Sequence, residues 1–163
     1  MKTDTIQLAH GGGGRLSRDL IRREILPRFG DGPLRDLPDG ASLDLPGDKI
    51  VFTTDSYVVR PLEFPGGNIG NLAVHGTVND LAVCGAIPHC ISLALVLEEG
   101  LPLPLLRKVL DTIRDAAAAC SVSVVTGDIK VVEQGHCDGM YVNTAGIGIR
   151  MPGFNLSSRR IRS

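Results

Sequence analysis

Four stretches of this chain combine residue types that chemistry uses. The first is His10-Gly11-Gly12-Gly13-Gly14-Arg15, placed directly before a helical pattern. Consecutive glycines leave backbone N–H groups free to wrap an anion, and a helix N-terminus adds a favourable field. A flexible N-terminal linker would read the same way. The run is neither a P-loop nor a dinucleotide fingerprint, because no Lys-Ser/Thr follows it and no convincing strand precedes it. The second stretch, Thr53-Thr54-Asp55-Ser56, sets a carboxylate among hydroxyls inside an apolar strand. Such a group needs a cation or hydrogen-bond donors unless it lies on a solvated edge. The third, Gly76 to Ala82, carries Asn79 and Asp80 in mid-helix. No Lys, Arg or Glu stands between Ile69 and Ala86, which argues against an ordinary solvated face. In the fourth, Thr126-Gly127-Asp128-Ile129-Lys130, the strand period of two puts Asp128 and Lys130 on one face. They suit a metal and a phosphate oxygen, or simply each other as a surface ion pair.

Taken together, Asp55, Asp80 and Asp128 offer hard oxygen ligands from three separate elements. Mg2+ takes one or two carboxylates together with phosphate oxygens and waters. With a glycine-rich flap and Lys130, the set reads as a Mg-nucleotide site outside the P-loop class. Phosphoryl transfer asks mainly for positioning and charge neutralisation, which these groups could supply. The histidines (10, 75, 89 and 136) show no paired spacing, so zinc is not expected. The four cysteines (84, 90, 120 and 137) include no C-x-x-C pair, and three stand among aliphatic residues as small hydrophobes do.

These residues must be positioned by an α+β framework. Leu16, Leu20, Ile21 and Ile25 recur at helical spacing, with Pro27 and Gly30 predicted to close the helix. A turn-rich stretch follows to Gly47, with Ala41 to Leu45 as a candidate short strand. A strand is expected from Lys49 through Val59, interrupted at Asp55. Asn68 is placed to cap a helix from Ile69 to about Cys84, stopped by Gly85. Gly70 and Gly76 inside it imply close backbone approach there. Ile91–Leu97 reads as a strand. Leu106, Val109, Leu110, Ile113, Ala117 and Cys120 form an amphipathic stripe. Strands Ser123–Val132 and Met140–Ile149 complete a mostly antiparallel sheet with helices packed on one face. Residues 1–154 form the expected domain, and 155–163 read as a truncated linker.

The 163 residues, 43% hydrophobic, suffice for one packed domain. A net charge of −1, no Trp and only six Tyr plus Phe leave nucleic-acid binding without an electrostatic or stacking basis. Neither a signal peptide nor an 18-residue apolar span is present, so no membrane role and a cytoplasmic location are expected.

In order, the motifs Leu8–Leu16, Thr54–Pro61, Phe64–Gly70, Gly76–Ala82, Leu97–Gly100, Thr126–Val132 and Asn143–Gly148 resemble those of the HypE family of hydrogenase maturation proteins. That family is grouped with aminoimidazole ribonucleotide synthetase, selenophosphate synthetase and thiamine monophosphate kinase. The resemblance implies the N-terminal domain of an aminoimidazole ribonucleotide synthetase-like fold, pairing its sheet with a second copy into a shared barrel. It further implies ATP-dependent dehydration of a protein-bound S-carboxamide to thiocyanate, the source of cyanide ligands for iron in [NiFe]-hydrogenase. A carbamoyltransferase and iron-scaffold maturation proteins would be the partners.

By motif, Asp55, Asp80 and Asp128 would hold Mg2+ on the phosphates of ATP, and Lys130 would contact phosphate oxygens. Lys130 and Asp80 would thus be the catalytic pair. Asn79 would assist, and Gly11, Gly12, Gly13 and Gly14 would close over the nucleotide. Asn68 and Ile129 depart from common family residues (Asp and Thr). The second domain and the C-terminal cysteine that carries the carboxamide have no counterpart here, so whether the chain is itself an enzyme stays open. A non-catalytic dimerisation or partner-binding fragment is the alternative, and a relative acting on a thiamine or selenium phosphate a more remote one.

Overall fold

A computed structural model describes residues 4–30, 32–35, 37, 40–47 and 49–154. The segment assigned to a linker, 155–163, lies outside them. The strands are β1 (Ile50–Tyr57), β2 (Glu63–Phe64), β3 (Gly67–Asn68), β4 (Ala86–Glu98), β5 (Ser123–Val132) and β6 (Met140–Arg150). The α-helices are α1 (Arg15–Leu20), α2 (Leu26–Phe29), α3 (Ile69–Val83) and α4 (Leu103–Ala119).

One four-stranded sheet runs β1-β6-β4-β5. Its β1–β6 and β6–β4 pairs are antiparallel and its β4–β5 pair is parallel, so the sheet is mostly antiparallel as expected. Burial along β6 alternates without a break: Met140, Val142, Thr144, Gly146 and Gly148 are buried, while Tyr141, Asn143, Ala145, Ile147 and Ile149 are half-buried. That is the signature of a sheet covered by helices on one face only. On the open face, edge strand β1 exposes Ile50 and Phe52.

The parallel pair requires a crossover, and α4 supplies it. Leu106, Val109, Leu110 and Ile113 are fully buried along its apolar stripe. Beside it, Asn68 caps α3. Its side chain accepts the Gly70 N–H at 2.8 Å, and the Asn71 side chain accepts the Asn68 N–H at 3.1 Å. The glycines of α3 have the packing reason their cost implied. A Cβ on Gly70 would lie 2.8 Å from the Val109 carbonyl oxygen, and one on Gly76 would strike the Tyr57 ring. Gly85, at φ +74°, ends the helix, and the Phe154 ring packs where its Cβ would be.

Four expectations fail locally. Ala41–Leu45 forms no strand. β1 ends at Tyr57 rather than Val59, and Asp55 lies within it, because an edge strand can turn a carboxylate to water. The apolar stretch of β4 is longer than Ile91–Leu97. Pro27 itself does not stop the first helical segment, although Gly30 closes it as expected: a π turn (Ile21–Ile25) carries the chain into α2, where Pro27 sits in the first turn and its missing N–H is not needed.

This N-terminal helical segment is clamped to α4 by Glu24, whose side chain is 7% exposed. Arg107 donates to both its carboxylate oxygens at 2.9 and 3.0 Å, and Arg28 bonds Asp111 at 2.8 Å. The Arg107 hydrogen bond, aided by the charges of Arg107 and Arg28, holds the Glu24 carboxyl below its usual range. A depressed carboxyl contributes stability that is present above its unfolded value of about 4.3 and is lost as pH falls through the lower folded value. Urea titrations between pH 7 and pH 3 should therefore show a midpoint that falls on acidification. Glu24→Gln should start lower at pH 7 and follow a flatter curve. An identical pH slope in the variant would remove Glu24 as the origin.

Candidate functional site

The glycine run reaches the sheet through a 3-10 turn, Leu8–Gly11. The chain before it is pinned by Ile6, which donates to the Leu101 carbonyl and accepts from Gly100, each at 2.8 Å. The Leu8 N–H meets Glu99 Oε1 at 3.2 Å. His10 Nδ1 accepts the Gln7 N–H at 3.0 Å, which places the ring proton on Nε2. Burial lowers the pKa of this imidazole, in keeping with its acceptor role. Gly11 then lies flat on β5: a Cβ would stand 2.5 Å from the Val131 nitrogen. Gly13 adopts φ +73°, and its N–H is held by Ser17 Oγ at 2.9 Å. No atom lies near where Cβ atoms would project from Gly13 or Gly14. Packing therefore does not explain them.

Between this run, the first helical segment and β5 lies a cavity of about 470 Å³. Gly11, Gly13 and Ser17 line it with Thr126, Asp128 and Lys130, and Ile21, Phe29, Leu93 and Val124 give it an apolar wall. Asp128 and Lys130 face each other: Nζ lies 2.9 Å from Oδ2 and 3.1 Å from Oδ1, and both side chains are more than half exposed. The first and fourth sequence stretches thus meet in one place, although 115 positions separate Gly13 from Asp128.

The second and third stretches meet elsewhere. Asp80, half-buried on α3, accepts a hydrogen bond from Thr53 Oγ1 on β1 at 3.2 Å. Asp55 lies two residues along the same face of β1, exposed, with Oδ1 taking the Ser56 N–H at 2.8 Å. Asn79 is exposed. Beneath them Tyr57, Thr77 and Thr144 form a buried hydroxyl chain, with 3.3 Å between the first two and 2.5 Å between the last two. Burial raises the Tyr57 phenol pKa, and the phenol stays neutral.

Within one chain, then, the three aspartates do not converge. β1 and β5 are the two edges of the sheet, with β6 and β4 between them. Three steps of about 4.8 Å separate the edges. The row Asp55–Thr144–Leu93–Gly127 also leaves Asp128 one residue on, and therefore on the opposite face from Asp55. No group of three His, Cys, Asp or Glu residues that could hold a metal occurs among the described residues. Ser17 and the apolar cavity wall were not anticipated. Serine two positions into a helix that follows glycines was the one available signal, whereas the wall reads in sequence as ordinary core.

Residues 38–150 match the family described as AIR synthase related protein, N-terminal domain. The chain is 48% identical to carbamoyl dehydratase HypE of Rhodobacter capsulatus over 164 residues, covering 99% of this chain and 48% of that protein. Among solved structures it is similar to the hydrogenase maturation protein HypE in complex with ATP, at a TM-score of 0.87 and 48% identity, covering 90% of this chain and 44% of that one. It is also similar to a chain of the HypE–HypF complex, at a TM-score of 0.66 and 43% identity over 85% of this chain and 44% of that one. The chain spans about half the length of the curated relatives it matches.

Proposed function

Because the chain belongs to the AIR synthase related family, in the part described as its N-terminal domain, we propose that it is the ATP-binding half of a hydrogenase-maturation carbamoyl dehydratase. One observation carries the reading: the glycine run, Asp128 and Lys130 line a single cavity beside a helix N-terminus. Backbone N–H groups of the run and the Lys130 ammonium suit phosphate oxygens, and the apolar wall suits an uncharged ring. The relative solved with ATP supports the choice of nucleotide.

The reaction we propose for the complete protein converts a protein-bound S-carboxamide into a thiocyanate. The carboxamide oxygen takes the γ-phosphoryl group of ATP and leaves with it as phosphate, ATP becoming ADP, and the two amide protons pass to the phosphate and solvent. This chain's share is to hold and orient the triphosphate. Lys130 neutralises charge on its oxygens, and closure of the Gly11–Gly14 run excludes water. Asp80, bonded to Thr53, and Asp55, two residues along the same face of β1, are the carboxylates that would hold Mg2+, with Asp128 as a third. Their donor set, hard oxygens on one or two acids, suits that cation, which would neutralise phosphate charge when bound. Since Asp55 and Asp128 occupy opposite sheet edges, the full set requires pairing of two copies through the sheet. The homodimer is therefore part of the proposal, as are a carbamoyltransferase partner and an iron-scaffold complex.

Titration calorimetry with ATP tests this. Binding heat with Mg2+ present, lost when Mg2+ is chelated, is expected from protein that sediments as a dimer. Absence of heat at millimolar nucleotide, with circular dichroism showing a folded chain, would favour a second reading, a non-catalytic dimerisation or partner-binding module. The exposed Ile50, Phe52 and Ile87 favour that alternative.

A further inference from the structure

The first helical segment has two faces with different chemistry. Ser17, Leu20, Glu24 and Phe29 turn inward, and Ser17, Ile21 and Ile25 reach the cavity wall. The outward face carries Arg15, Arg18, Arg22 and Arg23, all exposed. None of the four lines the cavity. Nor does any of them take part in an ion pair or side-chain hydrogen bond among the described residues. By contrast Arg28, Arg60, Arg107 and Arg114 each hold a carboxylate.

The arrangement works against the helix on its own. Arg15 to Arg18 and Arg18 to Arg22 are like charges at helical neighbour spacing. Cations also crowd a helix start that has neither an acidic residue in its first turn nor a side-chain cap. Locally they are offset by Asp19 and, for Arg23, by the neighbouring Glu24 carboxylate. An anionic partner would relieve both strains. The charge is local, since the whole chain is at −1. Arginine is the side chain whose planar fork grips carboxylates in pairs. Leu16, 42% exposed, stands among the arginines as an apolar contact point. From Arg15 to Arg22 the helix rises about 10 Å, the span of about three residues of extended peptide.

We propose that the outward face of Arg15–Arg23 is a docking surface for an acidic, leucine-containing segment of a partner protein. The exposed guanidinium groups pair with its carboxylates, and Leu16 packs against an apolar side chain. Nucleic acid is a poorer occupant, because so few cations neutralise few phosphates and no exposed aromatic side chain accompanies them.

The test is fluorescence anisotropy with the full chain and a labelled 12-residue peptide of alternating Glu-Glu-Leu. A duplex DNA of equal charge and vesicles containing phosphatidylserine serve as comparison probes. Peptide binding in 50 mM salt is expected, weakened at least about tenfold by Arg18→Glu combined with Arg22→Glu. The same pair changed to Lys should lose part of the affinity, because charge remains while the fork does not. Arg60→Glu, at an arginine already paired with Asp138, should leave binding unchanged. Circular dichroism and thermal midpoints establish that each variant is folded, and Arg18→Gln with Arg22→Gln replaces the reversal should that one unfold. Equal loss from Arg60→Glu, no loss from the paired changes, or tighter binding of DNA or vesicles than of peptide would overturn the proposal.

Discussion

Asp128→Asn is expected to weaken Mg-ATP binding by about 2–3 kcal/mol, about a hundredfold, because it removes the charge of a proposed cation ligand and of the group that orients Lys130. The substitution keeps the size of the side chain and removes only its charge. Both carboxylate oxygens lie near Lys130 Nζ, at 2.9 and 3.1 Å, so the carboxylate orients the ammonium that would meet the phosphates. It is also one of the three oxygen ligands proposed for the cation. Stability should hardly change, since an exposed ion pair of this kind contributes about 0–1 kcal/mol. Calorimetric affinity and thermal midpoint should therefore separate, the first falling steeply and the second staying within a few degrees. Lys130→Ala in the same background should add less than it does alone, as expected for side chains acting as a unit. Unchanged nucleotide affinity in Asp128→Asn would remove this strand from the proposed site.

The second large effect is on the fold. Gly127 lies in the parallel β4–β5 pair, and a Cβ there would be driven into the Leu93 carbonyl oxygen of the neighbouring strand. Both sides of that clash are backbone, so no rotamer change can relieve it. Among the described residues β4 is also the only strand to which β5 is bonded in the sheet. Gly127→Ala should cost about 3 kcal/mol or more, at the upper end of overpacking effects. It should also shift β5, and with it Asp128 and Lys130, out of register with the glycine run. Gly12→Ala is the matched control: the nearest atom to its Cβ is 3.7 Å away. A change within about 0.5 kcal/mol is expected there. Urea unfolding of the two variants side by side decides the matter, and similar midpoints would mean that β5 can slide past Leu93 without strain.

Local features were legible wherever a short-range rule governs them. The α4 stripe follows the helical period, and the Asn68 cap needs only its own neighbours. β5 occupies the span read from its β-branched run. Gly70 and Gly76 pointed to tight packing because glycine inside a helix costs propensity. What the contacts were, the Val109 carbonyl and the Tyr57 ring, could not be read. The π turn before Pro27 was likewise hidden, since proline announces a break and not the way a chain continues past one. The cavity wall was missed because Ile21, Phe29 and Leu93 are apolar in sequence whether they fill a core or border a void.

The pairing of Asp128 with Lys130 was determined locally, because alternation along a strand puts residues two apart on one face whatever the rest of the fold does. The same holds for the anion-wrapping capacity of the glycine run, which is a property of its backbone. Which distant groups meet was decided by strand order alone. β6, the last of the described strands, inserts between β1 and β4. That insertion sends Asp55 to one edge and Asp128 to the other, while the fold lays the glycine run on β5. Side-chain chemistry acts over a few ångströms, and only the stacking of whole strands settles which residues come within that reach.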